Sequence, residues 1–248
     1  MESRCPEELS RTNRRPLQKF PRRKILPGEP KTGRILNSMF GLKPNPQSFW
    51  KWFVANEVML FDFELDQERI FDKLSSAMHK IDRNLTFEFG PKTPTGREFV
   101  VSAGGILSAF PAVVSLVGAA PKLERWKVIG FRPRRDPVFT IELRGRNANS
   151  DQVEFSLIDN GRNIGIYLFI PDFNESDVTW KEIGYLLLDE ALGEYDVETK
   201  VGPFDVFSPD SAKPGKRFPF RDLPEIFDKH LLTLESRAKG SSQALRLN

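Results

Sequence analysis

The clearest structural signal in this chain is the stretch QVEFSLIDNGRNIGIYLFIP, residues 152–171. Two runs rich in β-branched and aromatic residues flank Asn160 and Gly161. An Asn-Gly pair readily supplies the positive-φ residues that a tight hairpin turn requires. We therefore predict a β-hairpin at this point, and its neighbouring strands favour an antiparallel or mixed sheet.

Strand patterns also occur on both sides of this hairpin, and most of them come in consecutive pairs. Near the C-terminal end, residues 195–201 place a charged residue at every second position, which is the period of a half-buried strand. Together with the hairpin, the predicted strands are residues 85–89, 97–102, 126–133, 137–145, 152–159, 163–171 and 195–201.

Apolar residues at helical spacing predict five helices among these strands. The fourth begins at Ser176 or Asp177, which are favourable N-cap residues, and ends at Gly193, a favourable C-cap residue. We predict an α+β protein with a single domain over residues 46–237. Its antiparallel or mixed sheet has about six to seven strands, and its helices pack mainly on one face. The predicted helices are residues 48–60, 66–82, 108–120, 177–192 and 223–237.

Charge is distributed unevenly along the 248 residues, which carry 37 Lys and Arg against 34 Asp and Glu. Residues 1–36 hold ten Lys and Arg but only four Glu, and several prolines interrupt any helix there. We predict a disordered basic tail over residues 1–45 and a flexible tail over 238–248. Translation that starts at Met39 would remove the basic segment.

Cysteine and histidine are too scarce for several kinds of site. Cys5 is the single cysteine, and His79 and His230 are the two histidines, against 21 Phe. An internal disulfide, a cysteine-based zinc site and a multi-histidine metal centre are therefore excluded. We expect no cofactor, because the glycine-rich nucleotide motifs are missing.

The chain has no apolar run of the ~20 residues a membrane span needs and no signal-peptide pattern, so we expect a cytoplasmic protein.

Two groups of charged residues are candidates for a binding surface. On the predicted strand 195–201, Glu194, Asp196 and Glu198 would project from one face, where they could bind a divalent cation, pair with arginines or simply face solvent. Arg132 and Arg134 would share a strand face and converge with Arg144 and Arg146 on the next strand. Arginine groups of this kind suit carboxylate or phosphate ligands, or surface ion pairs.

A third candidate lies in the segment Ser102-Ala-Gly-Gly, between a predicted strand and a predicted helix. Free backbone N–H groups at such a position can form a nest that binds an anion, here around Ser102, Gly104 and Gly105. The two glycines are equally what a sharp strand-to-helix turn requires. Both interpretations of this segment therefore remain open.

Several segments resemble a family of bacterial proteins of unknown function. They are FWKWFVANE, LTFEFGP, FVVSAGG with the following FPAVVSLVGAAPKLERWKVIGFRPRR, and LLLDEALGEYDVETKVG, so the resemblance covers roughly residues 48–202. The shared features are an FWxWF helix and a GEYDVET segment. The resemblance implies a cytoplasmic bacterial protein and carries over no catalytic residue.

The leading functional hypothesis is a non-enzymatic binding or adaptor protein. It would use the charged surface of Arg132, Arg134, Arg144, Glu194, Asp196 and Glu198 to bind a protein or a small charged ligand. One alternative is a divalent-metal-dependent hydrolase that uses the three carboxylates. The other is nucleic-acid binding through the basic tail, which the mildly acidic remainder of the chain does not favour.

Overall fold

The computed structural model describes residues 45–136, 138–160 and 163–244, with side chains through Arg237. Positions 1–44 of the predicted basic tail, including Met39, lie outside these residues, as do Gly161 of the predicted turn and positions 245–248. In the described part, each of the five predicted helical regions is helical. The helices are α1 (Pro46–Ala55), α2 (Glu57–Phe61), α3 (Gln67–Met78), α4 (Phe110–Gly118), α5 (Thr179–Leu192), α6 (Glu194–Lys200) and α7 (Leu223–Ala244).

The described strands form three small sheets. The first has the order β1-β2-β3, the second is the pair β4-β5, and the third has the order β8-β7-β6-β9. The strands are β1 (Thr86–Phe89), β2 (Arg97–Ser102), β3 (Trp126–Gly130), β4 (Thr140–Leu143), β5 (Arg146–Asn149), β6 (Glu154–Asp159), β7 (Ile164–Phe169), β8 (Val201–Phe207) and β9 (Phe218–Pro219).

The α+β class is confirmed, but the prediction of one sheet with six to seven strands is wrong. The predicted hairpins β1–β2 and β6–β7 are both present and antiparallel. However, β3 follows the α4 crossover and pairs in parallel with β2, at the end of the first sheet. Residues 146–149, which fall in a predicted loop, pair with β4 to make a separate hairpin. The third sheet is mixed, because β8 pairs in parallel with β7.

The predicted strand over 195–201 is also wrong for most of its length, because residues 194–200 form α6. Gly193 ends α5 with a positive φ of 78° and lets the chain turn directly into this helix. Glu194 and Asp196 lie in the first turn of α6, where the helix dipole favours negative charge. The strand begins only at Val201, the last residue of the predicted element.

The described residues belong to one compact unit that contains two hydrophobic cores. In the N-terminal core, α1–α4 pack on β1–β3, and the fully buried rings of Phe53 and Phe99 lie 5.0 Å apart. In the C-terminal core, α5 and α7 pack on the third sheet, with Phe155 and Leu187 fully buried. The many phenylalanines thus fill cores without adding a hydroxyl that needs a partner. None of the described helices is both long and apolar enough to cross a lipid bilayer.

Candidate functional site

Three of the four segments with candidate charged or nest residues meet between the two cores. They are the loop 102–105 after β2, the irregular segment 131–136 after β3, and the α5–α6 region around Gly193. These segments also carry much of the sequence resemblance. We call this meeting point the junction.

The centre of the junction is the carboxylate of Glu194, whose side chain is fully buried. Its Oε1 accepts hydrogen bonds from the backbone N–H groups of Ala103 and Gly105, each at 3.0 Å. Its Oε2 accepts a third from the N–H of Arg132 at 3.1 Å. The nest predicted around residues 102–105 therefore holds a carboxylate of the chain itself. The N–H of Gly104 donates to Ser102 Oγ at 2.9 Å.

The guanidinium of Arg132 crosses the junction and is mostly buried. It donates to both carboxylate oxygens of Asp189, at 2.7 and 2.9 Å, and to Ser102 Oγ at 2.7 Å. Burial lowers the pKa of Arg132, but the hydrogen bond to Asp189 and the charges of Asp189, Glu194 and Glu88 outweigh burial, so the pKa is raised. Arg132 therefore stays charged and serves as an internal ion-pair partner.

Arg134 forms hydrogen bonds with residues of both α6 and α7. Its guanidinium binds both oxygens of Asp228, at 2.8 and 2.9 Å, and Asp196 Oδ2 at 2.5 Å. It also donates to the carbonyl oxygen of Leu192 at 3.0 Å. The hydrogen bond to Asp228 is the main reason that the pKa of Arg134 is raised, and Arg134 in turn lowers the pKa of Asp228. Asp196 also forms an ion pair with Lys200 at 2.8 Å.

Glu198 has a different partner from the other two acidic residues of α6. Its Oε1 accepts a hydrogen bond of 2.6 Å from the hydroxyl of Tyr185 on α5. Burial raises the pKa of Glu198 against the lowering effect of this bond, and the charges of Asp189 and Glu194 raise it further. The three carboxylates therefore do not share one face as predicted. They bind backbone N–H groups, arginine and lysine, and a tyrosine hydroxyl, respectively.

Arg144 does not converge with Arg132 and Arg134, contrary to the sequence prediction. It lies in the β4–β5 turn with a φ of 49°, and its exposed guanidinium donates to Glu182 on α5 at 2.8 Å. Glu182 and Asp189 are seven residues apart, which is about 10 Å along a helix axis. Arg132 and Arg134 also do not share a strand face, because residues 132–136 have no regular secondary structure.

The six charged residues of the predicted binding surface belong to no metal-binding cluster and line neither of two cavities in the described part of the chain. No cluster of three or more His, Cys, Asp or Glu that could hold a metal ion occurs in the described part of the chain. An open groove of about 640 Å³ lies between α1 and α3, beside Trp52 and Asp72. A cavity of about 360 Å³ lies beside Arg146 and Trp180. Neither space is lined by any of the six predicted charged residues.

An apolar surface beside the junction was not anticipated from the sequence. The 18 residues from Ala103 to Ala120 include no charged residue. Helix α4 buries Phe110, Val113 and Leu116, yet Val114 remains 61% exposed. In the turn before α4, Ile106 and Leu107 are 42% and 53% exposed. The sequence does contain a signal for this surface. A helix with one face in solvent normally carries charged residues on that face, and this helix has none.

Tyr195 connects this surface to the junction. Its ring, 49% exposed, lies 5.9 Å from the ring of Phe110 and 5.3 Å from that of Phe131. Phe131 has a φ of 65°, which is unusual for a bulky residue and directs the chain from β3 to Arg132. We use the name α4 face for the exposed apolar residues of α4, of the turn before it and of the tyrosine that packs on Phe110, namely Ile106, Leu107, Val114 and Tyr195.

Comparison with known proteins found no matching family model, no matching curated protein and no matching solved structure. The resemblance to a bacterial family described above stays a prediction.

Proposed function

We propose that this chain is a cytoplasmic, non-enzymatic binding protein that contacts a partner protein through the α4 face. The observation that carries the proposal is a surface helix without a single charged residue, with large apolar side chains exposed beside it. Burial of apolar surface contributes about 25 cal/mol per Å², and contiguous exposed patches of this kind commonly mark interaction sites.

Three of the other exposed apolar residues in the described chain have charged neighbours. Val58 follows Glu57, Leu65 lies between Glu64 and Asp66, and Val178 follows Asp177. A partner that covered any of these positions would also desolvate a carboxylate, which is costly unless the carboxylate is paired. In the α4 face, Tyr195 is the residue with carboxylate neighbours. Of these, Glu194 is already buried, and Asp196 is already paired with Arg134 and Lys200. This smaller desolvation cost favours the α4 face as the contact surface.

The junction supports the proposal by fixing the structure beneath the α4 face. The Glu194 carboxylate bonds to the loop that leads into α4, and the adjacent residue Tyr195 packs on Phe110. A surface that is already ordered loses less conformational entropy when a partner binds. In this proposal Arg132 and Glu194 position the contact surface from within, rather than binding the partner themselves.

The other two hypotheses from the sequence have no observation that favours them. Glu194, Asp196 and Glu198, which a metal-dependent hydrolase would need, each bind a separate group of the chain itself. The basic tail, which nucleic-acid binding would need, lies outside the described residues up to position 44.

The proposal can be tested by photocrosslinking in the cells that naturally produce the protein. The photoreactive residue p-benzoylphenylalanine would replace Val114, and in a matched control it would replace Val178, which is 72% exposed. We expect a discrete crosslinked product from position 114 and none from position 178. Equal yields at the two positions, or no product from position 114, would contradict binding through the α4 face.

A further inference from the structure

We infer that the partner covering the α4 face is a second copy of this chain. The inference rests on the proposed function and adds the identity of the partner. Three observations carry it: the absence of charge, the pattern of large and small residues along α4, and the area of exposed apolar surface.

Charge is the first observation. In a two-fold symmetric dimer the same patch occurs on both subunits, so each group near the axis meets its own copy. A charged residue there would face a like charge, which disfavours a buried interface. The segment Ala103–Ala120 has no Lys, Arg, Asp, Glu or His, so it can face itself without this cost. The exposed side of α3, by contrast, carries Glu68, Asp72 and Lys73.

The shape of α4 is the second observation. Pro111, Val114 and Gly118 recur at the spacing of one helix face, and all three are exposed. A Cβ atom added to Gly118 would meet nothing within 4 Å, so the surface is open at this end. Val114 is the only bulky side chain among the three, and it projects between two small or compact residues. The distance between packed helices depends on the side chains at their contact, so the compact residues on either side of Val114 allow a second helix to approach closely.

The position of Val114 within α4 predicts where the two-fold axis of a dimer would lie. Val114 is the central residue of α4, with four helical residues on either side. When two identical helices pack in antiparallel orientation about a two-fold axis, their central residues lie closest to the axis. Val114 of one subunit would therefore lie near Val114 of the other, while residues towards the ends of α4 would lie further from their own copies.

The exposed area is the third observation, and it sets the expected strength. The four side chains of the α4 face are each about half exposed, which amounts to roughly 400 Å² per subunit, a patch typical of functional surfaces. A stable interface buries about 800 Å² on each partner. We therefore expect a weak, concentration-dependent dimer.

Sedimentation velocity of the purified full-length chain tests this inference directly. From low to high micromolar concentration, the native chain should shift reversibly from monomer to dimer. Val114→Glu should weaken dimerisation roughly tenfold or more, because two carboxylates would meet near the axis. Val178→Glu, at an exposed position outside the α4 face, should dimerise like the native chain. A chain that stays monomeric throughout, or an equal effect of the two substitutions, would overturn the inference.

Disulfide formation tests the predicted axis. In a Cys5→Ser background, which removes the single native cysteine, Val114→Cys should form an interchain disulfide under mild oxidation. The bond needs a Cα–Cα separation of about 4.4–6.8 Å, which only residues close to the axis satisfy. Leu107→Cys and Val178→Cys should crosslink roughly tenfold more slowly. Equal rates at the three positions would overturn the antiparallel arrangement about Val114.

The two proposals can fail separately. If the product crosslinked through position 114 in cells contains peptides of this chain alone, the proposed function and the inference are both supported. If it contains a different protein and the purified chain remains monomeric, the α4 face is still a binding surface but the inference is wrong. If position 114 gives no product in cells, the proposed function itself is wrong.

Discussion

At the scale of single residues, Glu194 has the most demanding environment in the junction. Its carboxylate is fully buried and accepts three backbone hydrogen bonds, with Arg132 Nη1 3.9 Å from Oε2. A buried carboxylate is costly unless hydrogen bonds and an opposite charge compensate it. All of these compensating groups lie 62 to 91 residues earlier in the chain. Glu194 therefore acts as an internal ligand that joins distant segments.

We expect Glu194→Gln to lower the free energy of unfolding by about 2–3 kcal/mol, because an amide nitrogen would face a buried N–H donor that then has no acceptor. The matched control is Asp196→Asn, two residues along α6. Asp196 is only partly buried, and the amide oxygen that the substitution leaves could still accept a hydrogen bond from Arg134. That change should cost about 1 kcal/mol or less. Urea unfolding of both variants measures the difference, and equal losses would contradict the role assigned to Glu194.

At the scale of secondary-structure elements, local patterns predicted some features well and others poorly. The β6–β7 hairpin and the end of α5 at Gly193 depend on residues close in sequence, and both predictions are confirmed. Helix α6 was predicted as a strand because its charged residues alternate. That interpretation placed Glu194, Asp196 and Glu198 on one face of a strand, whereas in the helix Glu194 faces inward. The burial of Glu194 depends on Ala103, 91 residues away, which no local pattern contains.

The loop before α4 provides a test at this scale, because its two glycines have similar φ angles but different surroundings. Gly104 and Gly105 have φ values of 60° and 78°. A Cβ at Gly105 would clash with the Tyr185 hydroxyl and lie 2.9 Å from Glu198 Oε1, whereas the nearest atom at Gly104 is 3.8 Å away. We expect Gly105→Ala to destabilise the protein by about 3 kcal/mol, from backbone strain and displacement of the Tyr185–Glu198 pair.

Gly104→Ala is the control for that change, since it introduces the backbone strain without the clash. It should cost only about 1–2 kcal/mol. Thermal unfolding of both variants would show the difference. A melting temperature lowered equally by the two substitutions would mean that the loop is not packed against Tyr185 and Glu198 as described.

At the scale of the whole molecule, ionic and polar contacts connect two separate hydrophobic cores. Arg132, which follows the last strand of the N-terminal core, pairs with Asp189 on α5 of the C-terminal core. The sequence identified Arg132, Arg134 and Glu194 as charged residues of interest. Pairing of the carboxylates with arginines was one of the alternatives that the sequence left open, and Arg134 does pair with Asp196. The sequence could not select this alternative, because the partners lie about 60 to 90 residues apart. Their interpretation as an outward binding surface followed from the incorrect strand prediction for residues 195–201.

The central claim is that the charged residues of the junction stabilise the fold, while the α4 face makes the external contact. It is tested most directly by photocrosslinking from position 107, on the α4 face, in two variant backgrounds. Val114→Glu alters the α4 face, and Arg144→Gln removes the most exposed arginine of the predicted charged surface. We predict that Val114→Glu abolishes the crosslinked product and that Arg144→Gln leaves its yield unchanged. The opposite result, a product lost in Arg144→Gln and kept in Val114→Glu, would contradict the claim.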